Sequence, residues 1–209
     1  MSVITLSASF GAGGWVVGPA VAKRLNLPFL DRAIPKQVAA AMGVDIEDAE
    51  IRDERVKGWL MRMLAGAAPM SAEFMLGNDP PRATLMSDSH YLKRTQEVLR
   101  SAVADGGGVI LGRAGALVLA DCPGALHVRL DGDPSRRARQ AARLSDGSFS
   151  EREAMAALRK DDTNRCNYIR HFYNADPADP RLYHLTLDST RMPLDTCIDL
   201  IVSAFHAPR

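Results

Sequence analysis

The beginning of the chain combines an apolar run, a glycine-rich segment and an amphipathic helical pattern in immediate succession. Residues 3–6 predict a buried strand, residues 7–14 are rich in glycine and serine, and residues 15–25 repeat apolar side chains at helical spacing. A glycine loop that joins a parallel strand to a helix directs backbone N–H groups toward one point, where phosphate is held. The succession therefore predicts a phosphate-binding loop, with a turn that serves packing alone as the alternative.

This loop differs from the standard P-loop in its cations. In the pattern G-x-x-x-x-G-K-[ST], the lysine reaches the β- and γ-phosphates and the hydroxyl group holds Mg²⁺. Aligning residues 11–13 on the second half of that pattern places Gly14 at the lysine and Trp15 after it. The cation and the metal-binding hydroxyl are therefore both missing, and Trp15 is expected to pack beneath the loop.

Composition excludes several classes of protein. The chain has 209 residues with 26 Lys and Arg against 25 Asp and Glu, so its charge predicts neither a nucleic-acid nor a membrane partner. Basic runs at residues 136–143 and 159–170 suit a small polyanionic ligand, although a solvated helix face explains most of these arginines. The 3 cysteines lie far apart without a CxxC pair, which predicts reduced thiols in a cytoplasmic protein.

Strands alternate with helices along the rest of the chain. Apolar runs predict strands at residues 28–32, 109–111, 126–130 and 183–187, and helices are predicted to start at Pro134 and after Ser150 and to span residues 194–205. This alternation predicts a parallel sheet covered on both faces, with ligands beyond the carboxyl ends of its strands. That edge carries the glycine loop, Asp31, Arg113, Asp131 and Asp188.

Five segments, taken in order, resemble the cytidylate kinase-like family, relatives of the bacterial cytidylate kinases within the nucleoside monophosphate kinase group. Residues 4–15 (ITLSASFGAGGW) match I-T-I-S-R-E-[FY]-G-S-G-G-R, residues 28–32 (PFLDR) match P-[FY]-x-D-R, and residues 109–114 (VILGRA) match V-I-x-G-R-[GA]. The lid pattern K-x-x-D-x-x-R is matched by Arg159, Asp162 and Arg165. Residues 179–189 (DPRLYHLTLDS) match D-P-x-x-Y-D-L-x-L-[ND]-[ST], except that His184 replaces the acid.

The resemblance implies a P-loop-type three-layer α/β sandwich with a five-stranded parallel sheet of order 2-3-1-4-5. It further implies a single nucleoside-monophosphate-kinase-like domain over residues 1–209, with a helical acceptor insertion at residues 45–87 and a lid at residues 145–175. The implied activity is ATP- and Mg²⁺-dependent phosphate transfer to a nucleoside monophosphate or another small phosphate acceptor. Small-molecule nucleotides are then the ligands, and self-association into a homo-oligomer stays open.

The resemblance also assigns roles on the donor side. The donor phosphates are expected to lie on the backbone amides of Gly11, Ala12, Gly13 and Gly14. Arg159, Asp162 and Arg165 are the catalytic candidates, because their spacing favours two cations and an orienting acid on one helix face. A surface salt-bridge ladder explains the same spacing.

The acceptor-binding candidates come from three separate segments: Asp31, Arg32, Lys93, Arg94 and Arg113. An ion pair with an acid at the sheet edge is the alternative for Arg113, and a helix cap is the alternative for Asp31. No side chain is expected to ligate the metal directly, and Asp31 is the candidate for holding Mg²⁺ through a water molecule.

Two positions depart from the family pattern, since Ala8 and Trp15 stand where arginine is usual. Loss of an arginine finger costs about 10³–10⁵ in rate. The alternative function is therefore a nucleotide-binding pseudokinase with a sensing or scaffolding role, which has lost the loop cations at Ala8, Gly14 and Trp15. Ala114 replaces the acid that reads cytosine in cytidylate kinases, so cytosine specificity is not expected.

Overall fold

The computed structural model describes residues 2–30, 93, 96–97, 99–101, 103–104, 106–112, 114–145 and 147–207. The chain forms two units, one made of Met1–Arg32 and Ser101–Arg209 and the other of Ala33–Arg100. All helices and strands given below belong to the first unit. The predicted insertion at residues 45–87 lies outside the described residues.

Five parallel strands form one sheet. They are β1 (Val3–Ala8), β2 (Phe29–Leu30), β3 (Gly108–Leu111), β4 (Ala125–Asp131) and β5 (Leu185–Asp188). The order is β2-β3-β1-β4-β5, which confirms the predicted 2-3-1-4-5 arrangement. β1 is flanked by β3 and β4, so its side chains are shielded by the sheet and by the helices on its faces, as its continuous apolar run requires.

Four helices begin at or within one residue of the predicted positions, and two short helices, one after β3 and one before β5, were not predicted. The helices are α1 (Gly14–Leu25), α2 (Gly115–Val118), α3 (Pro134–Leu144), α4 (Glu151–Tyr173) and α5 (Leu194–His206), with a short 3₁₀ helix at Pro180–Leu182. The Asp133 side chain caps α3, and Ser150 and Glu153 form the predicted capping box at the start of α4. No helix among the described residues is long and apolar enough to span a membrane.

The main core lies between the sheet and the pair α1 and α5. Ile4, Val17, Val128 and Ile201 are fully buried there. Trp15 packs partly buried against this core, with its ring edge-on to Phe29 at a centroid distance of 6.3 Å. The structure thus confirms Trp15 as a packing residue beneath the loop.

The fifth strand begins later than the sequence predicts. Residues 183–187 are predicted as strand, but β5 starts at Leu185. The reason is the side chain of His184, whose Nδ1 accepts the hydrogen bond of the His127 backbone N–H at 3.0 Å. Because an imidazole occupies the place of a backbone carbonyl, the ladder between β4 and β5 is interrupted at that point.

His127 is a buried polar residue in the middle of the sheet. Its ring stacks on that of His184 at a centroid distance of 4.9 Å, and its Nδ1 shares a 2.7 Å hydrogen bond with Thr5 Oγ1 on the neighbouring strand. Thr5 is only 2% exposed. The bond therefore satisfies polar groups that water does not reach.

We expect Thr5→Val to lower the free energy of unfolding by about 1–3 kcal/mol, because it removes the hydroxyl group and leaves His127 Nδ1 without that partner. Urea unfolding followed by circular dichroism measures the change. Thr186→Val is the matched control, since Thr186 is exposed on β5, and its effect should stay within about 0.5 kcal/mol. Equal effects of the two substitutions would show that the Thr5 hydrogen bond does not stabilise the sheet.

Candidate functional site

The glycine loop between β1 and α1 makes a tight turn. Gly11 and Gly13 adopt left-handed backbone conformations with φ of 77° and 75°. The Ala12 amide donates to the Ser9 carbonyl at 2.9 Å, so it is committed to the turn itself. Among the described residues, the amides of Gly11, Gly13 and Gly14 have no hydrogen-bond acceptor. The predicted set of four ligand-binding amides is therefore reduced to three.

Three consecutive carbonyl groups of the loop accept hydrogen bonds from side chains of distant residues. Phe10 O accepts from Arg137 Nη1 at 3.2 Å, Gly11 O from Gln140 Nε2 at 3.0 Å, and Ala12 O from Ser189 Oγ at 2.8 Å. All three donor residues are buried.

A trans peptide points its N–H opposite to its C=O. The bond to Phe10 O therefore turns the Gly11 amide away from α3. The bond to Ala12 O turns the Gly13 amide away from Ser189 in the same way. Arg137 and Ser189 thus set the directions of the Gly11 and Gly13 amides.

Arg137 joins the loop to α4. Its Nε donates to Gly132 O at 2.9 Å, and its Nη1 and Nη2 bind the two carboxylate oxygens of Asp162 at 3.2 and 2.7 Å. Its exposed fraction is 4%. The sequence did not identify this residue as functional, because the basic run at residues 136–143 is equally typical of a solvent-exposed helix face. The signal that identifies it is its place in the first turn of a helix that directly follows a buried strand.

Arg165 on α4 reaches the start of the loop. Its Nη2 donates to Ser9 Oγ at 2.9 Å and lies 3.4 Å from Asp162 Oδ1. Its Nε and Nη1 are buried and have no hydrogen-bond partner among the described residues. A guanidinium with two buried, unpaired nitrogen atoms at the start of a glycine loop supplies donors of the kind that bind an anion.

Arg159 does not join this cluster. It is exposed, and no ion pair forms at its side chain within the described part of the chain. Residues six positions apart on a helix are separated by about 240° around its axis, so Arg159 and Arg165 do not share one face. The structure brings Asp162 and Arg165 together, and a donor role for Arg159 stays a prediction.

The predicted acceptor residues are not brought together by the described structure. Asp31, Arg32, Arg94 and Arg113 lie outside the described residues. Lys93 is described as an exposed helical residue of the second unit. Their roles in binding an acceptor stay predictions.

A cleft of about 400 Å³ opens beside the loop, between α3 and the segment that follows β5. We call it the base cleft; it is lined by Gln140, Arg143, Leu144, Thr190, Arg191, Met192, Pro193 and Leu194. Two of these residues also adjoin the loop, since a Cβ atom on Gly13 would lie 2.9 Å from Leu194 and 3.5 Å from Gln140. The base cleft therefore adjoins the loop at Gly13.

A model of the cytidylate kinase-like family matches residues 3–191. The chain belongs to the cytidylate kinase-like family. Membership supports a phosphotransferase of the P-loop kinase type, in agreement with the strand order and with the loop between β1 and α1.

A solved structure shares this fold. An uncharacterized protein from Eubacterium ventriosum superposes with a TM-score of 0.67 at 17% identity, covering 100% of both chains. Shikimate kinase from Bacteroides thetaiotaomicron superposes with a TM-score of 0.49 at 14% identity, covering 98% of both chains. A curated relative, the uronate isomerase of Corynebacterium glutamicum, is 26% identical over 158 residues, which make up 74% of this chain and 28% of that protein. The chain thus matches little more than a quarter of that relative's length.

Ala8, which departs from the family pattern, lies against Gly14, which stands at the position of the lysine in the standard P-loop. A Cβ atom on Gly14 would lie 2.5 Å from the Cβ of Ala8 and 3.1 Å from Leu111 Cδ1. No side chain fits at position 14 unless its neighbours move. The missing lysine is therefore part of how the loop packs against β1.

Asp131 ends β4 behind the loop and is held by two arginines. Arg129 Nη2 and Nε bind its Oδ2 at 2.5 and 3.1 Å, and Arg137 Nε lies 3.6 Å from Oδ1. Burial of the carboxyl group works to raise its pKa, but the hydrogen bonds and charge of Arg129 outweigh this, and the pKa is lowered. Arg129 itself lies under the ring of Tyr183 and donates to Pro177 O, which ties the end of α4 to this edge of the sheet.

We expect Asp131→Asn to lower the free energy of unfolding at neutral pH by about 2 kcal/mol, since Arg129 loses its charged partner. A carboxylate whose folded-state pKa is lowered stabilises the fold above its unfolded pKa of about 4, and this stabilisation is lost as pH falls through the folded value. The difference between wild type and variant should therefore shrink between about pH 5 and pH 3. Urea unfolding across this range measures it, with exposed Asp121→Asn as the control. A difference that stays constant with pH would contradict the ion pair.

Proposed function

We propose that the chain is an ATP- and Mg²⁺-dependent phosphotransferase that acts on a nucleoside monophosphate or another small phosphate acceptor. The observation that carries the proposal is the pair of buried, unpaired guanidinium nitrogen atoms of Arg165, next to a glycine loop with three free amides. Arg165 has Asp162 as its charged partner, but each buried N–H donor without an acceptor costs about 1–3 kcal/mol unless a ligand supplies that acceptor. A phosphate group supplies it.

The donor phosphates bind the amides of Gly11, Gly13 and Gly14 from the front of the loop, where the N-terminus of α1 adds its positive dipole. Arg165 reaches the same phosphates from α4. Phosphoryl transfer depends almost wholly on positioning and on neutralising the charge of the transition state. Arg165 therefore takes over the task of the absent loop lysine.

The base of the donor occupies the base cleft. Its walls combine apolar side chains with the guanidinium of Arg143, a set that suits a planar aromatic ring. The cleft adjoins the loop at Gly13, so a base placed there extends from a phosphate held by the amides.

Mg²⁺ fits this site through oxygen atoms of the phosphates and of water, which it usually retains. Among the described residues, no three His, Cys, Asp or Glu side chains come together to hold a metal ion. When bound, the ion neutralises charge on the donor phosphates. Asp31 is the candidate for holding it through water, and Arg32, Lys93, Arg94 and Arg113 are the candidates for the acceptor.

A second function, nucleotide binding without transfer, is favoured by one observation. The contact between Ala8 and Gly14 fills the space in which a loop cation would stand. A pseudokinase of this kind binds ATP through the amides and lacks turnover. The ion pairs of Asp162 on α4 with Arg137 on α3 and with Arg165 on α4 favour the enzyme, because binding alone does not require an ordered lid.

The two functions are separated by measuring ATP consumption against a panel of nucleoside monophosphates and small phosphorylated or hydroxylated acceptors, with ATP affinity measured in parallel. We expect turnover with at least one acceptor. Arg165→Gln should lower kcat by about 10³-fold, since a cation that stabilises the transition state is lost.

Arg152→Gln is the matched control, because it removes the same charge from an exposed position on the same helix, at a residue with no predicted role in the site. Its effect on kcat should be less than about tenfold. Tight ATP binding without turnover on any acceptor would instead identify the pseudokinase. Equal effects of both substitutions would contradict the role given to Arg165.

A further inference from the structure

Three arginines form a stripe along the solvent side of α3. Arg136, Arg139 and Arg143 are spaced i, i+3 and i+7, which places them on one face of the helix. The adjacent face holds Arg137 and Gln140, which are buried and bound to the glycine loop. Because that face fixes α3, the backbone that carries the stripe is rigidly placed.

The stripe faces a second cleft, distinct from the base cleft. This arginine cleft has a volume of about 360 Å³ and is lined by Arg136, Arg139, Arg143, Glu151 and Thr190. Three guanidinium groups face one carboxylate, so the lining keeps an excess of two positive charges. A concave surface of this size and charge suits a small anion.

The three arginines of the stripe form no ion pair among the described residues, unlike other arginines close to the loop. Within the described part of the chain, no carboxylate lies within 4.0 Å of any of the three, whereas Arg129, Arg137 and Arg165 each hold one. Asp188 exerts a charge effect on Arg136, but its carboxylate binds the Thr190 hydroxyl at 2.5 Å and Arg191 at 3.4 Å.

We propose that the arginine cleft is a second anion site, which binds a small phosphate-bearing ligand separately from the glycine loop. Guanidinium groups bind phosphate through paired N–H donors, and adjacent arginines neutralise several charges at once. The cleft shares Arg143 and Thr190 with the base cleft. Its phosphate therefore belongs either to a free oligophosphate or to the sugar of a nucleotide whose base lies in the base cleft.

Inorganic pyrophosphate is the probe for the site, measured by isothermal titration calorimetry at low ionic strength. The starting protein is Arg165→Gln, in which the glycine loop has lost its nearby cation. In this background we expect Arg136→Gln with Arg139→Gln to weaken pyrophosphate binding by about tenfold or more. Lys23→Gln with Arg170→Gln is the matched control, because it removes two charges from exposed positions that line neither cleft, and it should change the affinity less than about twofold.

Equal weakening by the stripe variant and the control would overturn the proposal, because it would show attraction by net charge alone. The proposal would also be overturned if the Arg165→Gln substitution alone abolished all measurable pyrophosphate binding. The proposed function is tested by comparing Arg165→Gln with wild type, whereas the arginine cleft is tested by comparing variants within the Arg165→Gln protein. One proposal can therefore fail while the other holds. Thermal unfolding of each protein by circular dichroism confirms that the variants compared are folded.

The source of the phosphate is decided with two nucleotides. If the phosphate belongs to the sugar, the stripe variant weakens binding of adenosine 3′,5′-bisphosphate and leaves that of adenosine 5′-monophosphate unchanged. If the anion is free, pyrophosphate binds the Arg165→Gln protein equally well with and without saturating adenosine 5′-monophosphate, and the stripe variant weakens it in both cases. If the stripe variant alters none of these affinities, the proposed anion site is overturned for both sources of phosphate.

Discussion

The site depends on the way in which the carbonyl groups of the glycine loop are held. Glycine makes the turn possible, but glycine alone leaves many backbone directions open. Arg137, Gln140 and Ser189 remove that freedom by donating to three consecutive carbonyls from buried positions. The directions of the Gly11 and Gly13 amides are then fixed without any contribution from a ligand, which is the preorganisation that anion binding and phosphoryl transfer both need.

The same residues connect the loop to the helix that carries the cation. Arg137 binds the Phe10 carbonyl and the Asp162 carboxylate, and Asp162 lies beside Arg165. Loop and cation are thus positioned by one hydrogen-bonded network. Because Ala8 and Gly14 pack against each other where a P-loop lysine would stand, the positive charge comes from α4 and not from α1.

The sequence alone predicted the parts of this arrangement that follow from local pattern. The alternation of strands and helices, the extent of α1 and the starts of α3 and α4 depend on apolar runs and capping residues, which are visible over a few positions. The strand order was implied by the resemblance to a known family, and the sheet confirms it. Contacts between distant segments were not predictable in the same way. Arg137 and Gln140 are part of a basic run that also fits a solvated face, and only the fold shows that they bind a loop more than a hundred residues earlier. The side chain of His184 delays β5 for a similar reason, since its partner on β4 is specified by the sheet.

The central claim is that the loop presents the amides of Gly11, Gly13 and Gly14, and not that of Ala12, to a phosphate group. Amide ¹H–¹⁵N correlation spectra recorded during titration with ATP and Mg²⁺ test it directly. The account predicts large downfield shifts for the three glycine amides, with a smaller change for Ala12, whose amide already donates to Ser9. Saturating nucleotide that leaves the three glycine signals in place, or that shifts Ala12 as far as the glycines, would contradict it.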